Sequence, residues 1–371
     1  MPDSPPAPLP SFRAIVPAGG AGTRLWPLSR AGAPKFLHDL TGTGRTLLQA
    51  TVDRLAPLAG PDGVVVVTGE AHAAAVRAQL DLAPDALLLE PAPRDSMAAI
   101  GLATAVLAER EGDVVVGSFA ADHVITGEGF ADAVAQAVAA ARAGYVTTVG
   151  IAATGPSTAF GYVRSGEPLG LPDAPDARRA AGFTEKPDAA TAAAYLATGE
   201  YTWNAGMFVA RAEVLLGHLA RLHPALHDGL REVAAAWDTP RRAEVLSRVW
   251  PGLPRIAIDH AIAEPVAAEG GVAVVPARFA WDDVGDVASL AGLLPADADG
   301  VRALGDPDLV VALRAAGATV VPGGGRLVAV LGLPDVVVVD TPDAVLVTDR
   351  AHAQEVRAVV EAVRERRPDL L

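Results

Sequence analysis

The sequence contains no cysteine, which excludes disulfides, thiolate metal sites and cysteine nucleophiles. Aromatic residues are scarce, at 5%, against a hydrophobic content of 51%, so any core must be built from Ala, Val and Leu. Positive charge is in deficit: 30 Lys+Arg stand against 44 Asp+Glu, a formal net charge of −14. That balance excludes a general nucleic-acid binder, which needs a basic face. Lysine is nearly absent, and only Lys35 and Lys186 interrupt 28 arginines. A preference for Arg codons explains the 28 but not the two exceptions, and Lys differs from Arg as a compact, flexible point charge. Long apolar runs are missing too. The longest charge-free tract, residues 143–163, is broken by Gly, Thr, Ser and Pro156, which argues against a membrane span. The opening MPDSPPAPLPSF has no apolar stretch of secretory-leader length. Residues 1–11 are expected to be a disordered Pro-rich tail, and the protein to be cytoplasmic.

What is present is a regular alternation of elements. Val-rich strands are predicted at residues 12–17, 64–68, 86–90, 113–119 and 146–152, with helices between them near 46–58, 71–82, 95–110 and 130–143. Near-continuous Val runs between amphipathic helices imply an α/β fold whose mostly parallel sheet is covered on both faces. Ligands of such sheets lie beyond the carboxyl ends of the strands. Residues 156–178 are rich in Gly and Pro and read as irregular. A strand near 180–184, a helix near 189–198, a strand at 201–209, helices to about 249 and a strand at 272–276 follow. From about 294, short Val-rich strands separated by Gly, Pro and Asp end in a helix over 351–366. The expected division is therefore 1–11, 12–293 and a small β-rich unit at 294–371.

Five motifs carry chemistry. Directly after the first strand comes Ala18-Gly19-Gly20-Ala21-Gly22-Thr23-Arg24-Leu25-Trp26-Pro27-Leu28-Ser29-Arg30. Its glycines allow backbone N–H groups close to a polyphosphate, and Arg24 can neutralise phosphate charge. Lys35 lies near enough in sequence to fold back on that loop. The pattern is neither a Walker A loop nor a dinucleotide fingerprint. Asp122 follows the 113–119 strand region, where a carboxylate is placed to hold Mg²⁺, though taken alone the motif reads first as a turn or cap Asp. Phe183-Thr184-Glu185-Lys186-Pro187 offers an acceptor for sugar hydroxyls beside a cation for a phosphate. In Trp203-Asn204-Ala205-Gly206-Met207-Phe208, Asn204 presents donor and acceptor in one plane. Trp281-Asp282-Asp283-Val284-Gly285-Asp286 supplies a second carboxylate for a cation.

Together these motifs resemble the sugar-1-phosphate nucleotidyltransferase family, and within it the branch that transfers guanylyl groups to mannose 1-phosphate. The GGAGTRLWPLSR loop is the specific part, and the other motifs follow in the family's order over about residues 12–290. Three departures stand out. No Gln follows Lys35; Arg94-Asp95-Ser96 stands where Arg-Asn-Thr is common; Asp286 replaces a common Ser. The sequence stops short of the isomerase domain of bifunctional members, so one activity is expected.

The resemblance implies a Rossmann-like nucleotidyltransferase domain, with left-handed β-helix-like stacking as the candidate form of the C-terminal unit. It implies attack by mannose 1-phosphate on the α-phosphorus of GTP with Mg²⁺ as cofactor, giving GDP-mannose and pyrophosphate. Catalytic roles fall to Arg24, Lys35 and Lys186. Nucleotide binding falls to Ala18, Gly19, Gly20, Gly22, Thr23, Arg24, Glu90, Ser96 and Asp122. Gly161, Tyr162, Glu185, Lys186 and Asn204 are assigned to the sugar phosphate, and Asp122 and Asp283 to the metal. Pairing with a second copy through the β-rich unit is a further expectation; nucleic-acid and membrane partners are not expected. A different sugar phosphate or NTP, or a silent regulatory homologue, stands as the alternative.

Overall fold

The computed structural model describes residues 8–20, 22–60 and 62–371. Residues 1–7 of the expected tail lie outside the described residues. Residues 8–11 are not loose: Leu9 N donates to Leu58 O at 2.8 Å, and Leu9 packs on the core.

In chain order the first strands are β1 (Phe12–Ala18), β2 (Val64–Gly69), β3 (Leu87–Glu90), β4 (Val115–Ser118), β5 (Val124–Thr126), β6 (Val146–Ala152), β7 (Gly161–Pro168), β8 (Arg178–Thr184), β9 (Tyr201–Arg211), β10 (Val272–Pro276) and β11 (Ala280–Asp282). Nine of them form one sheet in the order β3-β2-β1-β4-β9-β6-β10-β8-β7. Seven of the nine point the same way, and β8 and β9 run against them. The Val run of β2 shows why the sequence reads so apolar. Val65 and Val67 join the core under helices Asp95–Glu111, Ala212–Leu222 and Pro224–Trp237, while Val64 and Val66 join the core under helices Leu47–Ala59 and Phe130–Arg142. Successive strand residues face opposite sides, so a sheet roofed on both sides needs every position apolar.

Two short strands were not legible as such. β5 pairs antiparallel with β11, which brings Val124 opposite Asp282 and so ties the Asp122 loop to the Asp283 loop. β7 occupies the segment expected to be irregular.

The C-terminal part holds β12 (Arg302–Ala303), β13 (Val310–Leu313), β14 (Thr319–Pro322), β15 (Val328–Leu331), β16 (Val336–Asp340) and β17 (Val345–Asp349). Arg302 pairs with Thr319 and Thr319 with Val337, all parallel, and Val310 pairs in parallel with Val328. This is a chain wound into stacked coils, with β17 turning back antiparallel on β16. The closing helix is Val356–Arg366, shorter than the predicted 351–366 because a single 3₁₀ turn, Ala353–Glu355, precedes it.

This coil does not sit apart from the rest. One buried cluster contains Leu25 and Trp26 of the glycine-rich loop, Val284 and Val287 beside Asp283, and Val339, Leu346, Val356 and Val360 of the C-terminal part. Among the described residues no helix is long and apolar enough to cross a membrane. Leu25 is fully buried in the shared cluster. Leu25→Ala is therefore expected to destabilise the protein by about 2–5 kcal/mol in chemical denaturation. A loss below about 0.5 kcal/mol would mean that the loop is not anchored by this core.

Candidate active site

Several loops leave the carboxyl ends of the strands on one rim. Pro17, Ala18, Gly19 and Gly20 at the end of β1, Glu90 at the end of β3, and Arg94, Asp95, Ser96, Asp122 and Arg255 line a cleft of about 520 Å³. Gly20 has φ of 86° and Gly22 of 53°, backbone states that favour glycine. A Cβ at Gly22 would also come within 2.7 Å of Ser29 Oγ and 3.2 Å of Lys35 Cγ. The loop is thus folded directly onto Lys35, as its place in the sequence suggested. Glu90 is partly buried, and its Oε1 has no hydrogen-bond partner among the described residues. Burial pushes its carboxyl up to about 7. The Ser96 hydroxyl accepts a hydrogen bond from Ile258 N at 3.0 Å, which fixes the neighbouring Asp259.

Lys35 sits at the centre of this rim. Its Nζ lies 3.0 Å from Asp122 Oδ2 and donates to Asp283 O at 2.5 Å. One ammonium therefore touches both residues predicted to hold a metal, although they lie far apart in sequence. The Asp283 side chain accepts no hydrogen bond from the described residues, and burial raises its pKa, Lys35 opposing that shift. Beside it, His123 packs edge-on against Trp281 with centroids 5.2 Å apart. Its Nδ1 is buried without a partner among the described residues, and burial lowers the imidazole pKa. Among the described residues no cluster of three or more metal-ligating side chains occurs. Two carboxylate residues brought to one ammonium, Asp122 through its side chain and Asp283 through its carbonyl, suit a hard divalent ion that keeps water and substrate oxygens in its shell.

A second cleft adjoins the first and shares Pro17, Ser96 and Ala120 with it. Gly161, Glu185, Asn204, Asp259, His123 and Asp283 face it. Strand register assembles this side, because Gly161 pairs with Asn204 and Tyr162 with Thr184, next to Glu185. A Cβ at Gly161 would lie 2.5 Å from Glu185 Oε2 and 3.2 Å from Asn204 Cβ, so a side chain there would displace that carboxylate from its present position. Asn204 is fixed by three bonds. Its Oδ1 accepts from Thr148 Oγ1 at 2.8 Å and Gly206 N at 3.1 Å, and its Nδ2 donates to Asp259 Oδ1 at 2.8 Å. Glu185 N donates to Glu264 Oε1 at 2.9 Å, and Lys186 Nζ donates to Glu185 Oε1 at 2.9 Å.

The structure corrects some expectations. The Tyr162 side chain is fully buried, and its hydroxyl donates to Ser157 O at 3.0 Å, so the ring belongs to the core and does not line the cleft. Gly22, Thr23, Arg24, Lys35 and Lys186 lie outside the lining of both clefts. Arg24 Nη1 instead donates to Gln354 Oε1 at 2.9 Å. Lys186 stands at the rim, with its side chain 63% exposed and φ at 46°.

Asp259 was not singled out from the sequence. It opens a π-helical turn, Asp259–Ala263, and burial, with the Glu185 charge second, pushes its carboxyl up to about 6. An Asp before an apolar run reads as a helix start, which hid it. Phe160 was also missed; it lies between Trp203 and Trp281, each 5.1 Å away, and walls the second cleft.

A glycine-rich loop at the carboxyl rim of a doubly covered sheet, beside two adjoining clefts with an ammonium linking the carboxylate residues Asp122 and Asp283, is an arrangement suited to phosphorylated ligands. Comparison with known proteins narrows the class. The family model described as Nucleotidyl transferase matches residues 13–299, and that of the MannoseP isomerase/GMP-like beta-helix domain matches 299–363. The chain belongs to the nucleotidyl transferase family. It is 39% identical to the xanthan biosynthesis protein XanB of Xanthomonas campestris pv. campestris (strain ATCC 33913) over 94% of this chain and 73% of that one. It is 38% identical to the mannose-1-phosphate guanylyltransferase of Escherichia coli K12, with the same coverage. A crystal structure from Thermus thermophilus, described as a mannose-1-phosphate geranyltransferase, superposes with a TM-score of 0.83 at 35% identity, covering 95% of this chain and 99% of that one.

Two carboxyls held above their usual range oppose folding at neutral pH. The native state binds more protons than the unfolded chain from about pH 4 to 7, so stability falls as pH rises through that window. Glu90→Gln and Asp259→Asn are each expected to raise stability at pH 8 by on the order of 1–3 kcal/mol while weakening ligand binding. Equal melting temperatures for wild type and both variants at pH 8 would contradict the assignment of these shifts to burial.

Proposed function

We propose that this protein transfers GMP from GTP to mannose 1-phosphate, releasing pyrophosphate and forming GDP-mannose. The observation that carries the reading is that two adjoining clefts, one lined by Asp122 and the other by Asp283, are tied together by Lys35, which touches both residues. A phosphate oxygen of the sugar phosphate attacks the α-phosphorus of GTP in line, and the bond to the β-phosphate oxygen breaks. No protein nucleophile is required. The difficulty is to bring two polyanions together on a protein of net charge −14. The loop amides of Gly19 and Gly20, which line the first cleft, receive the triphosphate, and Gly22, Thr23 and Arg24, just outside that lining, are assigned to the phosphates that project beyond it. Lys35 leaves Asp122 to meet the departing pyrophosphate, and Lys186 meets the phosphate of the sugar. A magnesium ion held by Asp122 and Asp283 would supply charge neutralisation at the α-phosphate. The work is alignment and electrostatic stabilisation.

Base choice is assigned to Glu90 and the 90–96 segment that ends at Ser96. The Glu90 carboxylate, whose Oε1 has no partner among the described residues, can accept both N1–H and N2–H of guanine, whereas adenine offers an acceptor at N1. Glu185, Asn204 and the Gly161 segment, joined by Asp259, take the mannose hydroxyls. GTP and a sugar phosphate are cytoplasmic metabolites, so the reading puts the protein in the cytoplasm. Exposed Val311, Leu313 and Leu331 on the paired strands β13 and β15 support a homodimer.

Pyrophosphate release from GTP and mannose 1-phosphate with Mg²⁺, against ATP, UTP and glucose 1-phosphate, tests the reading. Faster turnover with another pair would replace it. Lys35→Ala and Asp283→Asn are each expected to lower turnover by about 10²–10³-fold with the fold retained. Near-normal turnover in either would remove its role, and full activity in EDTA would remove the metal.

A further inference from the structure

The glycine-rich loop is gripped from the C-terminal part at three points. Trp26 Nε1 donates to Leu370 O at 2.9 Å, and Arg30 forms a two-pronged pair with Asp343 at 2.8 and 2.5 Å. The third contact is chemically different, because it ends on site residues. Gln354 Oε1 accepts from Arg24 Nη1 at 2.9 Å, and Gln354 Nε2 donates to Asp286 Oδ2. Asp286 is buried, and its Oδ1 caps the helix Val287–Leu293 through Ala288 N at 2.8 Å and Ser289 N at 2.9 Å. It stands three residues after Asp283, on the turn that carries that carboxylate.

We propose that Gln354 is a positioning residue, through which the C-terminal part holds Arg24 for the triphosphate and steadies the turn bearing Asp283. The inference deepens the reading above and rests on its assignment of Arg24 to GTP. The geometry suits the role. The contact uses only Nη1, which leaves Nε and Nη2 of the guanidinium for phosphate oxygens. A long Arg side chain on a glycine loop would otherwise lose rotamer freedom on binding, and fixing it beforehand lowers that cost. The two ends of one amide also link the triphosphate cation to the carboxylate turn without a covalent bond.

The test is GTP binding by calorimetry on the full chain, with steady-state kinetics and melting temperatures, for wild type, Gln354→Ala, Arg24→Ala and the double variant. Gln354→Ala is expected to weaken GTP binding and raise the KM for GTP by about fivefold, with the KM for mannose 1-phosphate unchanged and the melting temperature lowered by loss of the bond to buried Asp286. In the Arg24→Ala background the same change is expected to add less than about twofold, because its target is gone. Gln354→Met, of similar shape without polar atoms, should reproduce the result and so separates bonding from packing. Unchanged GTP affinity in Gln354→Ala, or fully additive effects with Arg24→Ala, would overturn the inference. If wild type itself binds no GTP, the functional reading falls and takes this inference with it.

Discussion

The contact on which the site depends is a single ammonium group. Lys35 Nζ spans the Asp122 carboxylate and the Asp283 carbonyl, and its stem lies under Gly22. It joins three loops that come from distant parts of the chain. Replacing it by Arg would put a planar fork where a small point charge fits. That gives a physical reason for a lysine here in a chain that otherwise uses arginine almost throughout. The other lysine, Lys186, stands at the rim of the second cleft beside Glu185. The rare cation type therefore marks the two ends of the proposed reaction path.

An acidic protein that handles two anions has to concentrate positive potential locally. It does so with few charges and many dipoles, since loop amides contribute without adding net charge. The carboxyls of Glu90 and Asp259 are held above their usual range by burial, Asp259 also by the Glu185 charge. These groups oppose stability in the empty protein and are the ones a ligand with hydroxyl or amide donors would relieve. Such strained polar groups are the expected signature of a binding site rather than of a core.

Much of this was legible in the sequence, and the reasons differ from element to element. The β1-loop-helix region reads clearly because a short apolar strand and the glycines after it are local signals. Asp122 and Asp283 were readable as separate carboxylates, but their meeting depends on the β5–β11 pairing, two strands of three residues each. β7 was missed because its Gly and Pro content reads as loop, and Gly161 is there to admit Glu185, a tertiary reason. Asp259 was hidden by a helix signal, and Tyr162 was misassigned because sequence cannot show which way a strand residue faces. Gln354 carries no motif at all. Asp286, noted only as a departure from the family pattern, is the residue that Gln354 engages.

The most direct measurement is a crystal structure of this protein with GDP-mannose, pyrophosphate and magnesium bound. The account predicts the guanosine in the Glu90 cleft, the mannose beside Glu185 and Asn204, and the Lys35 ammonium moved from Asp122 onto a phosphate oxygen. Phosphates bound away from the Gly19–Gly22 loop, with Lys35 still paired to Asp122, would contradict it.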